Sequence, residues 1–230
     1  MRFLLKLSGE LFGSLREGDF NRIENVCFEI TQAQREQSDL EISIVLGGGN
    51  LWRGRDKRIE DELISNNIGS SATIINALLL SSIMNKHEIK NKLVSAIPFD
   101  IMDQYRPDNA RALMSNGYIV IIACGLGIPF FTSDTAAAVR GKELEVDRIL
   151  KATNVDGVFP DDILNANAEI LPHTTFSDLL SKSSTIIDLT AAAFCKTHSM
   201  EMNVYNGFVD GNTYRVLRGH NIGTLITNLY

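Results

Sequence analysis

Short apolar runs alternate with longer stretches of helical period along this chain, and that alternation predicts its layout. The runs Phe3 to Leu7, Ile42 to Leu46, Leu93 to Ile97, Tyr118 to Cys124, Arg148 to Ala152 and Met202 to Tyr205 have the length and the β-branched, apolar character of buried strands. Between them, Asn21 to Gln37, Ser70 to Asn85, Asn109 to Ser115, Thr135 to Leu144, Phe176 to Lys182 and Thr190 to Thr197 repeat their apolar positions with a helical period. Strands separated by helices pair in parallel, so the pattern predicts an α/β fold with a mostly parallel sheet covered by helices on both faces. Right-handed crossovers bring equivalent strand ends to one edge of such a sheet, where ligands bind. Several of these ends are polar or glycine-rich. No repeat, low-complexity tract or Pro/Gly linker divides the chain, which reads as one continuous sheet with two lobes. Arg53 to Glu62 is a dense run of mixed charge, read as a solvated loop or helix face.

Composition narrows the classes. At 230 residues and 44% hydrophobic content the chain can bury a substantial core without covalent staples. Cys27, Cys124 and Cys195 lie far apart in apolar contexts, so they read as small buried hydrophobes of a reducing compartment rather than disulfides or a metal site. A formal net charge of −6 argues against a general nucleic-acid binder, which needs clustered cations to neutralise backbone phosphates. The N-terminus is charged too early for a secretory signal, and no apolar run approaches the length of a membrane span. A soluble cytoplasmic protein is the expectation.

Four segments carry candidate chemistry. The strand Ile42 to Leu46 empties into Gly47-Gly48-Gly49-Asn50-Leu51-Trp52-Arg53-Gly54, where glycine backbone can approach an anion and an arginine offers forked donors. A triple glycine alone is equally well a tight turn. Lys6 stands within the first apolar strand beside Ser8-Gly9, and a lysine so placed needs a partner at the strand end. Cys124 to Asp134 joins a strand to an alanine-rich helix through Gly-Leu-Gly and Thr-Ser-Asp; the latter is an ordinary helix cap and also an anion site able to fix a lysine. Leu150-Lys151-Ala152-Thr153-Asn154-Val155-Asp156-Gly157 places a second lysine at the end of a strand. The P-loop, the dinucleotide fingerprint, the nucleophile elbow and the His-Glu-x-x-His zinc motif are all missing, and the four histidines are scattered in polar surroundings. Glycine turns, two strand lysines and an aspartate suit phosphoryl transfer, where a protein mainly positions anions and neutralises charge.

With Ser95-Ala96-Ile97-Pro98, Pro129-Phe130-Phe131-Thr132-Ser133-Asp134 and Val155-Asp156-Gly157-Val158-Phe159 in the same order, the chain resembles the bacterial uridylate (UMP) kinases of the amino acid kinase family, over essentially its whole length to Gly223-Thr224-Leu225-Ile226. The resemblance implies a three-layer αβα sandwich with a mostly parallel central sheet, in which about 1–140 binds the acceptor and about 141–230 binds ATP. It implies transfer from ATP to UMP with Mg2+, and a homohexamer. Carried over motif by motif, it implies Lys6, Arg53, Asp134 and Lys151 as the catalytic set. Lys6, Leu7, Ser8, Gly9, Gly49, Arg53, Thr153, Phe159 and Asp162 would bind ATP, with no protein metal ligand assigned. Gly48, Arg53, Asn66, Leu126, Gly127, Ile128, Pro129, Phe130, Phe131, Thr132 and Ser133 would hold the acceptor.

The departures from the family pattern gather at the acceptor end. Asn66 stands where the family has an aspartate for the ribose, and Leu126 and Ile128 replace two polar residues near the pyrimidine. Asp162-Ile163 replaces Asp-Pro, and residues expected for GTP activation are not evident around Asn85 to Lys92 or at Asp108. Two alternatives therefore stay open beside the UMP kinase: a kinase for a different acceptor, and a nucleotide-binding regulator or storage-type protein. Retention of Lys6, Arg53, Asp134 and Lys151 together favours catalysis, because binding alone has no need of all four charges.

Overall fold

A computed structural model describes residues 1–15, 17–18, 20–53, 59–160, 169–182 and 184–229. All six predicted strands are present: β1 (Arg2–Leu7), β2 (Glu41–Leu46), β3 (Asn91–Ser95), β5 (Ile119–Ala123), β6 (Arg148–Thr153) and β8 (Met202–Asn206). Three more complete the sheet, β4 (Asp103–Gln104), β7 (His173–Thr175) and β9 (Thr224–Thr227), each too short for a periodic signal. The strand order is β4-β3-β5-β2-β1-β6-β8-β9-β7. Pairing is parallel throughout except between β8 and β9.

The predicted helices appear as α1 (Asn21–Glu36), α2 (Glu62–Lys86), α3 (Pro107–Ser115), α4 (Ser133–Glu143), α5 (Phe176–Ser181) and α6 (Leu189–Thr197), joined by a short 3-10 turn at Gly9–Phe12 and by α7 (Asn212–Leu217). Alternate strand residues divide the core into two layers. Phe3, Leu5 and Leu7 of β1 pack with Ile23 and Ile30 of α1, Ala77 and Leu80 of α2, and Val216 of α7. Leu4, on the opposite face, packs with Ala110 of α3, Ala136 to Ala138 of α4, Leu179 of α5 and Ala191 of α6. This is a sandwich of helices, sheet and helices, with two-residue strand periodicity deciding which layer each side chain joins.

α2 begins eight residues before its predicted start at Ser70. Asp61 caps it, its carboxylate accepting from the Ile64 backbone at 3.1 Å, and Asn66, Asn67 and Gly69 hide the helical period of the first two turns. The complete helix is long and apolar enough, by length and composition, to cross a membrane, which corrects the expectation that no segment approaches that length; half of its most apolar window is buried inside the protein. Half of the mixed-charge run, residues 54–58, lies outside the described residues. The three cysteines are free and buried, and burial pushes the Cys27 and Cys195 thiols up to about 12, so none offers a thiolate.

Candidate active site

Strand register brings the two lysines together. β1 lies between β2 and β6, and in the parallel ladder of β1 with β6, Lys6 stands directly opposite Lys151. Both point to the α4 face, because Leu4 and Ile149, two residues earlier on each strand, pack there. This is also where the strand order turns outward in both directions from β1, the usual location of ligand crevices in open sheets.

A buried ammonium group beside a partly buried one is unfavourable without a counter-charge, and α4 supplies one. Thr132 caps the helix, its hydroxyl accepting from the Asp134 and Thr135 backbones at 3.1 and 3.3 Å, which fixes Asp134 in the first turn. Lys6 Nζ lies 2.9 Å from Asp134 Oδ1, while Lys151 Nζ donates to Oδ2 and to the Ile186 carbonyl. Burial pushes the Asp134 carboxyl up, but the two ammonium groups outweigh it and hold it well below the usual carboxylate range. Burial, with Lys6 adding to it and Asp134 opposing, holds Lys151 below the ordinary lysine value. The trio carries one net positive charge at the base of a cleft of about 1170 Å³. Asp188, which caps α6, faces the same region and accepts from the hydroxyls of Thr132 and Thr135.

The two glycine turns form the adjoining wall. The Gly47 backbone donates to the Leu7 carbonyl at 2.9 Å, seating the triple glycine beside Ser8 and Gly9. A Cβ on Gly48 would lie 2.7 Å from the Gly69 carbonyl and 2.9 Å from Ala72 Cβ, so only glycine lets α2 approach this closely. Arg53 reaches back to Glu10, whose other carboxylate oxygen accepts from Asn154 at 3.2 Å.

The far wall is the loop after β5. Cys124, Gly125 and Gly127 all have positive φ, at 60°, 53° and 77°. Thr73 accepts from the Cys124 backbone at 2.8 Å, and the buried Arg140 donates twice to the Gly125 carbonyl, at 3.2 and 3.1 Å. Phe130 also has φ 69°, a conformation costing a non-glycine residue about 1 kcal/mol, and its N–H donates to Asn66 Oδ1 at 3.2 Å. Asn66 thereby ties the start of α2 to the loop.

Most predicted site residues line this one cleft: Lys6, Ser8, Gly9, Gly48, Gly49, Arg53, Asn66, Leu126, Ile128 to Ser133, Asp134 and Thr153. Lys151 sits behind Asp134, 5% exposed. The Leu7 side chain is buried in the α1 layer, leaving only its backbone near the site. Gly127 packs against Ala96 rather than lining the cleft, and half-buried Phe159 is likewise off its wall. Asp162 lies outside the described residues. Glu10, Arg140 and Asp188 carried no sequence signal of their own, since each reads as a surface charge or a helix cap until the fold aims it inward. Among the described residues no cluster of three or more His, Cys, Asp or Glu side chains is placed to hold a metal.

Comparison with known proteins identifies the family. Residues 1–206 match the model of the amino acid kinase family. The chain is 36% identical to a uridylate kinase of Porphyromonas gingivalis, covering 99% of this chain and 97% of the relative. A uridylate kinase of Buchnera aphidicola is also 36% identical, with 98% and 95% covered. The crystal structure of a UMP kinase from Bacillus anthracis superposes with a TM-score of 0.91 at 31% identity, over 100% of this chain and 96% of that one. A UMP kinase from Ureaplasma parvum gives 0.89 at 31% identity, over 99% and 98%. In sequence and in fold, the chain belongs to the amino acid kinase family.

Proposed function

We propose that this protein transfers the γ-phosphoryl group of ATP to UMP, giving ADP and UDP. The observation that carries the reading is the Lys6–Asp134–Lys151 cluster, set beside two glycine turns in a cleft shared with Arg53. ATP and a nucleoside monophosphate repel as they approach, and ammonium groups in a partly desolvated cleft offset that repulsion where charge moves during transfer. Lys6, on the wall, holds the transferring group. Lys151, behind, raises the local potential, and Asp134 keeps both heads aimed. No general base is required, because the acceptor phosphate oxygen is already a nucleophile. Nothing in the comparisons favours a different acceptor or a binding-only role.

The acceptor phosphate sits on Gly48 with Arg53 as its clamp, so an arriving phosphate displaces Glu10 from that guanidinium. ATP phosphates lie along Ser8, Gly9 and Gly49, with Thr153 and Phe159 toward the nucleoside. The N-terminal lobe, about 1–140, thus carries the acceptor and the C-terminal lobe, about 141–230, carries ATP. Mg2+ enters with ATP. Asp134 is taken by the lysines, which leaves Glu10, Glu60, Glu62 and Asp188 as the wall carboxylates that would fit a hydrated ion; when bound, the ion offsets charge on the phosphate oxygens. Nucleotide substrates support a cytoplasmic location. A homohexamer is supported by α2, whose Ile64, Ile68 and Ile75 form an exposed apolar stripe at 50%, 37% and 49% exposure that suits a second copy.

An acceptor panel of UMP, CMP and dUMP with ATP and Mg2+ tests the reading. UDP formation is expected with UMP and is lost, by about a hundredfold or more, in Lys151→Ala. No turnover of UMP at millimolar concentration overturns the acceptor assignment.

A further inference from the structure

The two phosphate-facing turns, Ser8-Gly9 and Gly47 to Gly49, come from different strands, yet their separation must be set within a fraction of an ångström for transfer between bound phosphates. The hydrogen bonds show what sets it. Asn76, on the core face of α2 between Ile74 and Ala77, is fully buried, an expensive place for an amide in mid-helix unless its polar atoms are all used. They are used on the glycine turn. Its Nδ2 donates to the Gly47 carbonyl at 2.8 Å and to Asn50 Oδ1 at 2.9 Å, and its Oδ1 accepts from Asn50 Nδ2 at 3.2 Å. The Gly47 carbonyl can only accept, which assigns the amide orientation and makes the two asparagines a reciprocal pair.

Asn50 in turn touches the other turn. A Cβ on Gly9 would fall 2.7 Å from Asn50 Oδ1, and 2.8 Å from both the Gly47 carbonyl and the Gly49 nitrogen. The Asn50 amide is therefore wedged where the Ser8-Gly9 turn meets the triple glycine, and Asn76 holds it there from behind. Neither asparagine lines the cleft. We propose that Asn76 and Asn50 are positioning residues that lock the donor-side and acceptor-side glycine turns at one spacing, with α2 as the rigid member.

The inference rests on the reading of these turns as phosphate seats, and the test separates the two. Asn76→Asp keeps the side-chain shape but removes both donors and sets a carboxylate against the Gly47 carbonyl; Asn50→Ala empties the wedge and takes from Asn76 its two bonds to Asn50, while the bond from Asn76 to the Gly47 carbonyl stays. Steady-state kcat and KM, equilibrium MgATP binding and melting temperature are measured for both, for their double variant and for Asn50→Asp, which still accepts from Asn76. Expected are a fall in kcat of about tenfold to a hundredfold in each single variant, weaker MgATP binding, and a double variant no worse than the poorer single. Asn50→Asp should retain more activity than Asn50→Ala. Folded variants with unchanged kcat and unchanged MgATP affinity, differing only in melting temperature, overturn the inference, as do effects that multiply independently. A wild type that binds MgATP without converting UMP overturns the acceptor assignment alone, and the binding comparison still decides the role of the pair.

Discussion

Asp134 is the residue on which the charge balance of the site turns. One carboxylate serves two ammonium groups, so Asp134→Asn strands the buried Lys151 and the partly buried Lys6, a change costing about 3–5 kcal/mol by analogy with broken buried pairs. Its folded pKa lies below the unfolded value. The stabilisation is therefore fully present above the ordinary aspartate range and is lost only as pH falls through the depressed folded value. On the alkaline side the sign reverses. Lys151 is held below the ordinary lysine value by burial, and Asp134 is what opposes that pull. Removing the carboxylate lowers Lys151 further, so the alkaline limb of the kcat profile should move to lower pH in Asp134→Asn. An alkaline limb that stays in place would show that Lys151 does not carry the rate. Lys6, Lys151 and Asp134 were legible in the chain as unusual charges at strand and helix ends; that a single aspartate serves both lysines was not, because strand register decides it.

At the scale of elements, α2 does more than cover the sheet. It closes on Gly48 through Gly69 and Ala72, reaches the turn through Asn76, and meets the loop after β5 through Asn66 and Thr73. Gly48→Ala tests that approach, since the added methyl meets backbone at 2.7 Å and the helix must shift. Overpacking of this kind costs about 1–3 kcal/mol, read as a lower urea midpoint, and the displaced turn should lower kcat/KM for the acceptor more than for ATP. Equal losses for both substrates would argue against the division of the glycines between them. The long strands and helices were readable from periodicity, and their ends came within a few residues. The start of α2 was not, because polar residues that serve the site interrupt its apolar period. β4, β7, β9 and α7 escaped for a simpler reason, since elements of two to six residues take their conformation from neighbours rather than from their own pattern.

For the whole molecule, the cleft lies at the β1–β6 seam, where strands from the two halves of the chain join one sheet. The exposed stripe on α2 belongs to this scale as well. Ile68→Lys with Ile75→Lys is expected to dissociate the assembly, measured by sedimentation velocity against a wild-type oligomer; a wild type that sediments as a monomer would remove that part of the proposal. The sequence by itself determined the α/β class, the order of the elements and the identity of the charged and glycine-rich segments, because those follow from local periodicity and from the conformational freedom of particular residues. Tertiary structure alone decided that Lys6 faces Lys151, that Asn66 holds a loop, that Glu10 occupies Arg53 and that Asn76 braces a turn. Each joins residues at least 26 positions apart in the chain. Such pairs are set by strand register and helix docking, and no local pattern contains that information.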